Sequence, residues 1–160
     1  MASKRMATAA AAVAATIAAA SLALGSTGTG RTARTAATTT IHVIEHAVTD
    51  KTTDVGPAGD SAGDVLTFHN KVFDARDHGI VGSDQGHCIR IDPIAGSYEC
   101  LYTTSLPGGQ ITVEGPFYDK RSSVLAITGG TGGYRAARGQ LRLRSLAKGT
   151  KFDFLFEIVR

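Results

Sequence analysis

The chain has 160 residues, of which 42% are hydrophobic, so it has room for one folded domain. The first 37 residues contain four of the 17 Lys and Arg residues and no acidic residue. From residue 38 onward, 13 Lys and Arg face 14 Asp and Glu. This balance excludes the basic surface that nucleic-acid binding requires, and no nucleic-acid partner is expected.

Residues 1–25 have the composition of a secretory signal peptide. Lys4 and Arg5 precede an uncharged, alanine-rich run that extends to Gly25, and Ala23 and Gly25 at its end are small residues at the spacing that a signal peptidase prefers. The run is also long enough to span a bilayer, so an uncleaved membrane anchor is the alternative. We expect a secreted, extracellular protein that meets the membrane only through this segment.

Residues 26–39 are rich in Thr, Ala, Gly and Arg and predict a disordered linker. From Thr40 the chain alternates apolar and polar residues with a period of two, interrupted by Gly, Pro and Asp, which is typical of strands. The folded domain is therefore predicted at 40–160. Its predicted strands are 41–47, 65–73, 86–92, 98–105, 110–117, 122–128, 139–147 and 151–159.

Eight short sequential strands without an amphipathic helix predict an all-β fold, either a sandwich or a barrel. We favour an eight-stranded antiparallel closed β-barrel, because closure removes exposed strand edges. A barrel of eight strands is just wide enough to enclose packed side chains or one small ligand.

The two cysteines lie on either side of a turn-rich segment, 92–97, in a predicted hairpin. A hairpin centred near Ile94 places Cys88 opposite Cys100, which permits a cross-strand disulfide in an oxidising compartment. The alternative is a pair of reduced, buried thiols. Two cysteines without further ligands are poor evidence for zinc.

Two polar residues fall on apolar faces of predicted strands. Glu45 alternates with Val43 and Ala47, and Asn70 lies between Phe68 and Val72. A carboxylate among apolar side chains is costly unless it is hydrogen-bonded, and its pKa rises there. The alternative is that Glu45 lies near the barrel mouth and is solvated.

Metal and phosphate sites are not predicted. His42 and His46 are four residues apart, which on a strand separates them by roughly 13 Å, so surface positions are expected. The glycine-rich segment 129–133 lacks the Gly-Lys-Ser/Thr ending of a phosphate loop and predicts a turn. We expect neither a metal nor an organic cofactor.

Several ordered strings make residues 63–160 similar to the allene oxide cyclase and dirigent barrel superfamily. They are Asp64-Val-Leu-Thr-Phe-His-Asn-Lys, Gly86-His-Cys, Ile111-Thr-Val-Glu-Gly-Pro-Phe and Ala126-Ile-Thr-Gly-Gly-Thr-Gly-Gly-Tyr. The resemblance implies an eight-stranded antiparallel barrel, commonly a homotrimer, with a mostly apolar lumen. The agreement of several ordered strings is more specific than any single glycine run.

The resemblance also implies site residues. Glu45 corresponds to a luminal glutamate that promotes epoxide opening, and Asn70 to an asparagine that holds a water against the oxyanion. Cys88 corresponds to a luminal cysteine and Phe117 to a luminal tyrosine, while Ala47 stands where a second asparagine is expected. We expect the substrate-binding wall to comprise Phe68, Cys88, Tyr102, Val113 and Phe117.

The functional hypothesis is a cofactor-independent isomerase, an intramolecular cyclase that binds a small apolar, lipid-like or polyketide-like substrate and directs its ring closure. The apolar lumen would enforce the reactive conformation, and Glu45 and Asn70 would stabilise developing charge. The alternative is a secreted, dirigent-like protein without catalytic activity that steers the coupling of radicals made by a separate oxidase.

Overall fold

The structure is a computed structural model that describes residues 37–159. The predicted signal segment, 1–25, lies outside the described residues. The predicted linker reaches them only at its end, where the first strand begins at Thr38, two residues before the expected domain boundary. Thr38 and Thr39 pair with the last strand, and as β-branched residues they suit this extended backbone.

Nine strands and two single-turn 3₁₀ helices make up the described chain. The strands are β1 (Thr38–His46), β2 (Lys51–Thr53), β3 (Val65–Asp74), β4 (Ile80–Asp92), β5 (Ser97–Leu106), β6 (Gly109–Tyr118), β7 (Ser123–Gly130), β8 (Arg138–Leu146) and β9 (Lys151–Val159). The 3₁₀ turns are Gly132–Tyr134 and Ala147–Gly149. Among these residues no helix is long and apolar enough to cross a membrane.

The strands close into an eight-stranded antiparallel barrel, which confirms the predicted fold. From β3 to β9 each strand pairs with its neighbour in the chain, and β1 pairs with both β9 and β3 to complete the circle. The short β2 extends the sheet outside the circle by pairing with Val65–Thr67, a part of β3 that β1 does not reach. Closure leaves the main strands without free edges.

Two features of the strands differ from the sequence prediction. The sequence does not predict β2, because its three exposed residues carry no alternation. β4 begins at Ile80, six residues before the predicted start. The prediction misses these residues because Gly82, Asp84 and Gly86 interrupt the apolar face that marks a strand. Pairing with both β3 and β5 holds this polar and glycine-rich stretch extended.

Apolar side chains from all eight strands of the closed barrel fill much of its interior. The apolar residues with no exposed surface are Val72, Ile111, Val113, Leu125, Leu141, Phe156 and Ile158. They alternate with exposed or half-buried residues along their strands, as expected for a barrel whose interior is a packed core.

A buried arginine ties two loops to the end of β4. Arg90 donates from Nε and Nη2 to the two carboxylate oxygens of Asp60, at 2.7 and 2.6 Å, and from Nη1 to Asp119 at 2.7 Å. Its guanidinium also lies 4.1 Å from the ring centre of Tyr98, whose ring packs in turn against Phe117. Bidentate pairing and stacking suit arginine, and here they hold the loop after β2 against the turn after β6.

Candidate functional site

A cavity of about 50 Å³ opens into the barrel, and Glu45 contributes to its wall. Glu45 lies near the end of β1 and is 4% exposed. The cavity has room for only about four waters, judged by the space that one buried water needs. It is smaller than the ligand-sized hollow that the sequence predicts.

Five aromatic side chains form much of the wall. Ring centres lie 5.6 Å apart for Phe68 and Tyr102, 5.9 Å for Tyr102 and Phe154, and 5.7 Å for Phe117 and Phe152. These five residues line the cavity together with Leu66, Leu143 and the Cys88–Cys100 disulfide. The rim consists of the lining residues that are only half-buried, which are Leu66, Phe68, Phe117 and Phe152.

Asn70 fastens Glu45 to the loop that follows β1. Its Nδ2 donates to Oε1 of Glu45 at 2.6 Å and to Oδ1 of Asp50 at 2.7 Å. Its Oδ1 accepts from the backbone amides of Val48 and Thr49 and from the hydroxyl of Thr49. Both amide hydrogens are therefore committed, and Asn70 does not offer a donor for the water that the resemblance implies.

A second buried carboxyl lies beside Glu45. Asp84 stands on β4 between Asn70 of β3 and Thr104 of β5, in one row across three paired strands. All three side chains are buried, and the Asp84 carboxyl has no hydrogen-bond partner apart from its contact with the Glu45 carboxyl. The hydroxyls of Thr104 and Tyr102 are buried without partners. Unpartnered buried polar atoms are rare in folded proteins, and here they lie in one region.

The surroundings shift the acidity of these groups. Burial raises the pKa of Glu45 to about 7, the Asn70 hydrogen bond opposes the rise, and the charge of Asp50 adds to it. Burial, followed by the charge of Glu45, raises the pKa of Asp84 to about 9. Near neutral pH Asp84 therefore holds a proton while Glu45 exchanges one, which is the separation that acid and base roles require.

The structure brings most of the predicted site residues together. The cavity is lined by Glu45, Phe68, Cys88, Tyr102 and Phe117. Asn70 does not line it but donates a hydrogen bond to Glu45, which does. Val113 is buried in the core but does not line the cavity. Cys88 is bonded to Cys100, so at this wall it presents a disulfide and not a thiol.

Sequence reasoning missed Asp84, Asp50, Phe152 and Phe154. Asp84 shares the inward face of β4 with Gly86 and Cys88, so the alternation contains its signal, but the predicted strand begins after it. Asp50 follows β1 in a loop and has no periodic signal. The alternation places Phe152 and Phe154 on an apolar strand face, and only the closed barrel shows that they line the cavity.

The histidines lie apart from this site. His42 pairs with Asp153, while His46 pairs with Asp77 and stacks on Phe73. Within residues 37–159 no group of three His, Cys, Asp or Glu is arranged to hold a metal ion.

A sequence model of allene oxide cyclase matches residues 40–159, which is nearly the whole described chain. The chain belongs to the allene oxide cyclase family. Solved structures with the same fold include a pyocyanin demethylase, 27% identical, which aligns over 74% of this chain and 100% of its own with a TM-score of 0.63.

Other structures show how widely the allene oxide cyclase barrel is shared. The pterocarpan synthase dirigent protein PsPTS1 is 19% identical over 78% of this chain and 96% of its own, with a TM-score of 0.65. AbnU, an exo-specific intermolecular Diels–Alderase, is 16% identical over 78% of this chain and 99% of its own, with a TM-score of 0.61. At these identities the likeness establishes the fold, while function depends on the residues in the lumen.

Proposed function

We propose that the protein is a cofactor-independent cyclase of the isomerase type, which binds a small, largely apolar and unsaturated substrate in its lumen. The observation that carries the proposal is a buried carboxyl, Glu45, held by Asn70 and facing a cavity with aromatic walls. Buried carboxyls with displaced pKa values, set in a cleft, are typical of catalytic sites.

The carboxyl pair supplies the proton chemistry. Glu45 in its ionised form accepts a proton from the bound substrate or stabilises positive charge that develops during ring closure. The protonated pair then returns a proton to the substrate, so the product is an isomer and the protein is restored. Asp84 in its neutral form acts as the proton reserve of this exchange. Asn70 positions Glu45 and takes no part in proton transfer.

The aromatic walls supply orientation. A flexible substrate held between Phe68, Tyr102 and Phe154 loses the extended conformations that cannot close a ring, and such preorganisation lowers the barrier by several kcal/mol. Because the cavity holds only about 50 Å³, a substrate enters when the half-buried rim residues Phe117 and Phe152 turn aside.

Native mass spectrometry of the protein purified from its producing organism tests for a retained small molecule. Conversion of that molecule is then followed by chromatography with wild-type protein, Glu45→Gln and the control Glu114→Gln. Glu114 is an exposed glutamate on β6, so its substitution changes one charge outside the lumen. We expect an isomeric product of unchanged mass and a rate at least about 100-fold lower for Glu45→Gln alone. Wild-type rate and stereochemistry in Glu45→Gln would refute the proposal.

The second candidate is a dirigent-like role, in which the barrel steers radicals made by an oxidase. The predicted export segment favours this role, because such an oxidase would act outside the cell. Product analysis with and without an oxidase separates the two functions. A stereoselective product that requires the oxidase, and that Glu45→Gln does not alter, would support the dirigent-like role.

A further inference from the structure

We propose that the lumen takes an organic cation, a molecule with an apolar, unsaturated body and its positive charge on nitrogen. The inference rests on the proposed function only in placing the ligand in the same cavity. It narrows the substrate class from apolar compounds in general to cations with an apolar body.

The first argument is the aromatic character of the cavity wall. Phe68, Tyr102, Phe117, Phe152 and Phe154 surround the free space, with neighbouring ring centres between 5.6 and 5.9 Å apart. Faces of aromatic rings carry partial negative charge and attract cations, most strongly where water is excluded. The same rings pack well against a flat apolar body.

The second argument is the sign of the charged residues that line the cavity. Glu45 and Asp50 line the cavity, and no Lys, Arg or His of the described chain does so. The basic residues nearest to Glu45 in the strand pairing are His46, Lys71 and Lys151. His46 and Lys151 both pair with Asp77, and Lys71 is exposed. The groups that face Glu45 from the neighbouring elements are Asn70, Asp50 and Asp84. Any positive charge in the lumen must therefore come from the ligand.

The third argument comes from an unpartnered polar atom. The Tyr102 hydroxyl belongs to a side chain that lines the cavity, is 4% exposed and has no hydrogen-bond partner. Burial raises the pKa of Tyr102, so this hydroxyl is neutral and its oxygen can accept a hydrogen bond. Buried polar atoms without partners are costly. A hydrocarbon would leave this hydroxyl unpaired, whereas an N–H group carried by the ligand can donate to its oxygen.

The test compares two molecules of nearly equal shape, N-methylpyridinium and toluene, by NMR titration of the wild-type protein. We expect the cation to shift resonances of Tyr102 and Phe154 with at least about tenfold higher affinity than toluene at about pH 8. Between about pH 6 and pH 8 the ionised fraction of Glu45 rises about tenfold, so the affinity for the cation should rise by up to that factor. The affinity for toluene should not rise.

Two variants test whether Glu45 causes the pH dependence of cation binding. Glu45→Gln should abolish the pH dependence of cation binding, whereas the exposed control Glu114→Gln should retain it. Equal affinities for the two probes, or stronger binding of the anion benzoate, would overturn the inference, and the wild-type titration alone is sufficient to do so if Glu45→Gln does not fold. Turnover is measured separately: cation binding without cyclisation contradicts the proposed function alone, while cyclisation without cation preference contradicts this inference alone.

Discussion

Asn70 donates to Glu45 across a distance of 2.6 Å between Nδ2 and Oε1, and with its other atoms it anchors the loop after β1. One amide side chain thereby links the position of Glu45, the candidate base, to the conformation of the loop that carries Asp50. Thr49 strengthens the connection, because its hydroxyl accepts from the backbone amide of His69 at 2.7 Å.

Asn70→Ala should loosen both the loop and the carboxyl. We expect the free energy of unfolding to fall by about 2 kcal/mol or more, because the buried hydrogen bond to Glu45 and the partly buried ones to Val48 and Thr49 are lost together. Urea unfolding measures the loss, and hydrogen exchange at the amides of Val48 and Thr49 locates it. The matched control is Gln85→Ala, an exposed amide on β4, which should cost less than about 0.5 kcal/mol. Unchanged exchange at Val48 and Thr49 would contradict this role of Asn70.

Asp84→Asn should make the barrel more stable at alkaline pH. The pKa values of Asp84 and Glu45 are raised in the folded state, so the folded protein binds more protons than the unfolded chain between about pH 4 and pH 9. Wild-type stability should therefore be highest near the acid end of this range and fall as pH rises through it. Removing the ionisable group at Asp84 removes the larger part of this loss, on the order of a few kcal/mol at about pH 9.

Thermal unfolding of wild type and Asp84→Asn across this pH range measures the difference. The two curves should converge near about pH 4, where Asp84 is protonated in the folded state and increasingly in the unfolded state. The exposed Glu114→Gln should follow wild type throughout. A wild-type stability that rises steadily from about pH 5 to pH 9 would show that the two carboxyls are not held protonated by burial.

Removing the disulfide should destabilise the barrel without opening a new edge. Cys88 and Cys100 are directly opposite in the β4–β5 pairing, with Cα atoms 4.0 Å apart and a sequence separation of 12. Closing a loop of this length stabilises a fold by about 3 kcal/mol in the chain-entropy account. We expect that loss in the double variant Cys88→Ala, Cys100→Ala, measured by urea unfolding. A reductant should lower the stability of wild type alone, and two titratable thiols in the native protein would refute the linkage.

Gly86→Ala should disturb the cavity wall. Gly86 lies between Phe68 and Tyr102 in the strand pairing, and a Cβ placed there would lie 2.3 Å from Cβ of Tyr102 and 2.4 Å from the carbonyl oxygen of Leu101. The substitution forces β4 and β5 apart, and overpacking of this kind costs about 1–3 kcal/mol or more. The control is Gly129→Ala on β7, where the added Cβ would meet only the Arg138 guanidinium at 3.9 Å. Equal melting temperatures for the two variants would contradict the close approach.

The strands and the direction of their side chains could be predicted from the sequence alone. Alternation has a period of two because successive side chains of an extended backbone point to opposite faces, and this property is local. The alternation is sufficient by itself to place Glu45 and Asn70 on apolar faces. It fails for β2 and for the start of β4, where exposed residues and glycines remove the pattern although pairing with neighbouring strands keeps the backbone extended.

Only the tertiary structure decided which inward-facing groups meet. Glu45 and Asp84 belong to strands separated by β3, and their proximity depends on the closure of β1 onto β3 and on the register of both pairings. One of the two donors of Asn70 is taken by Asp50, in a loop that has no periodic signal, and the volume of the cavity depends on how the rings of Phe117 and Phe152 pack against each other. These relationships are contacts between segments far apart in the sequence, so the alternation of neighbouring residues does not predict them.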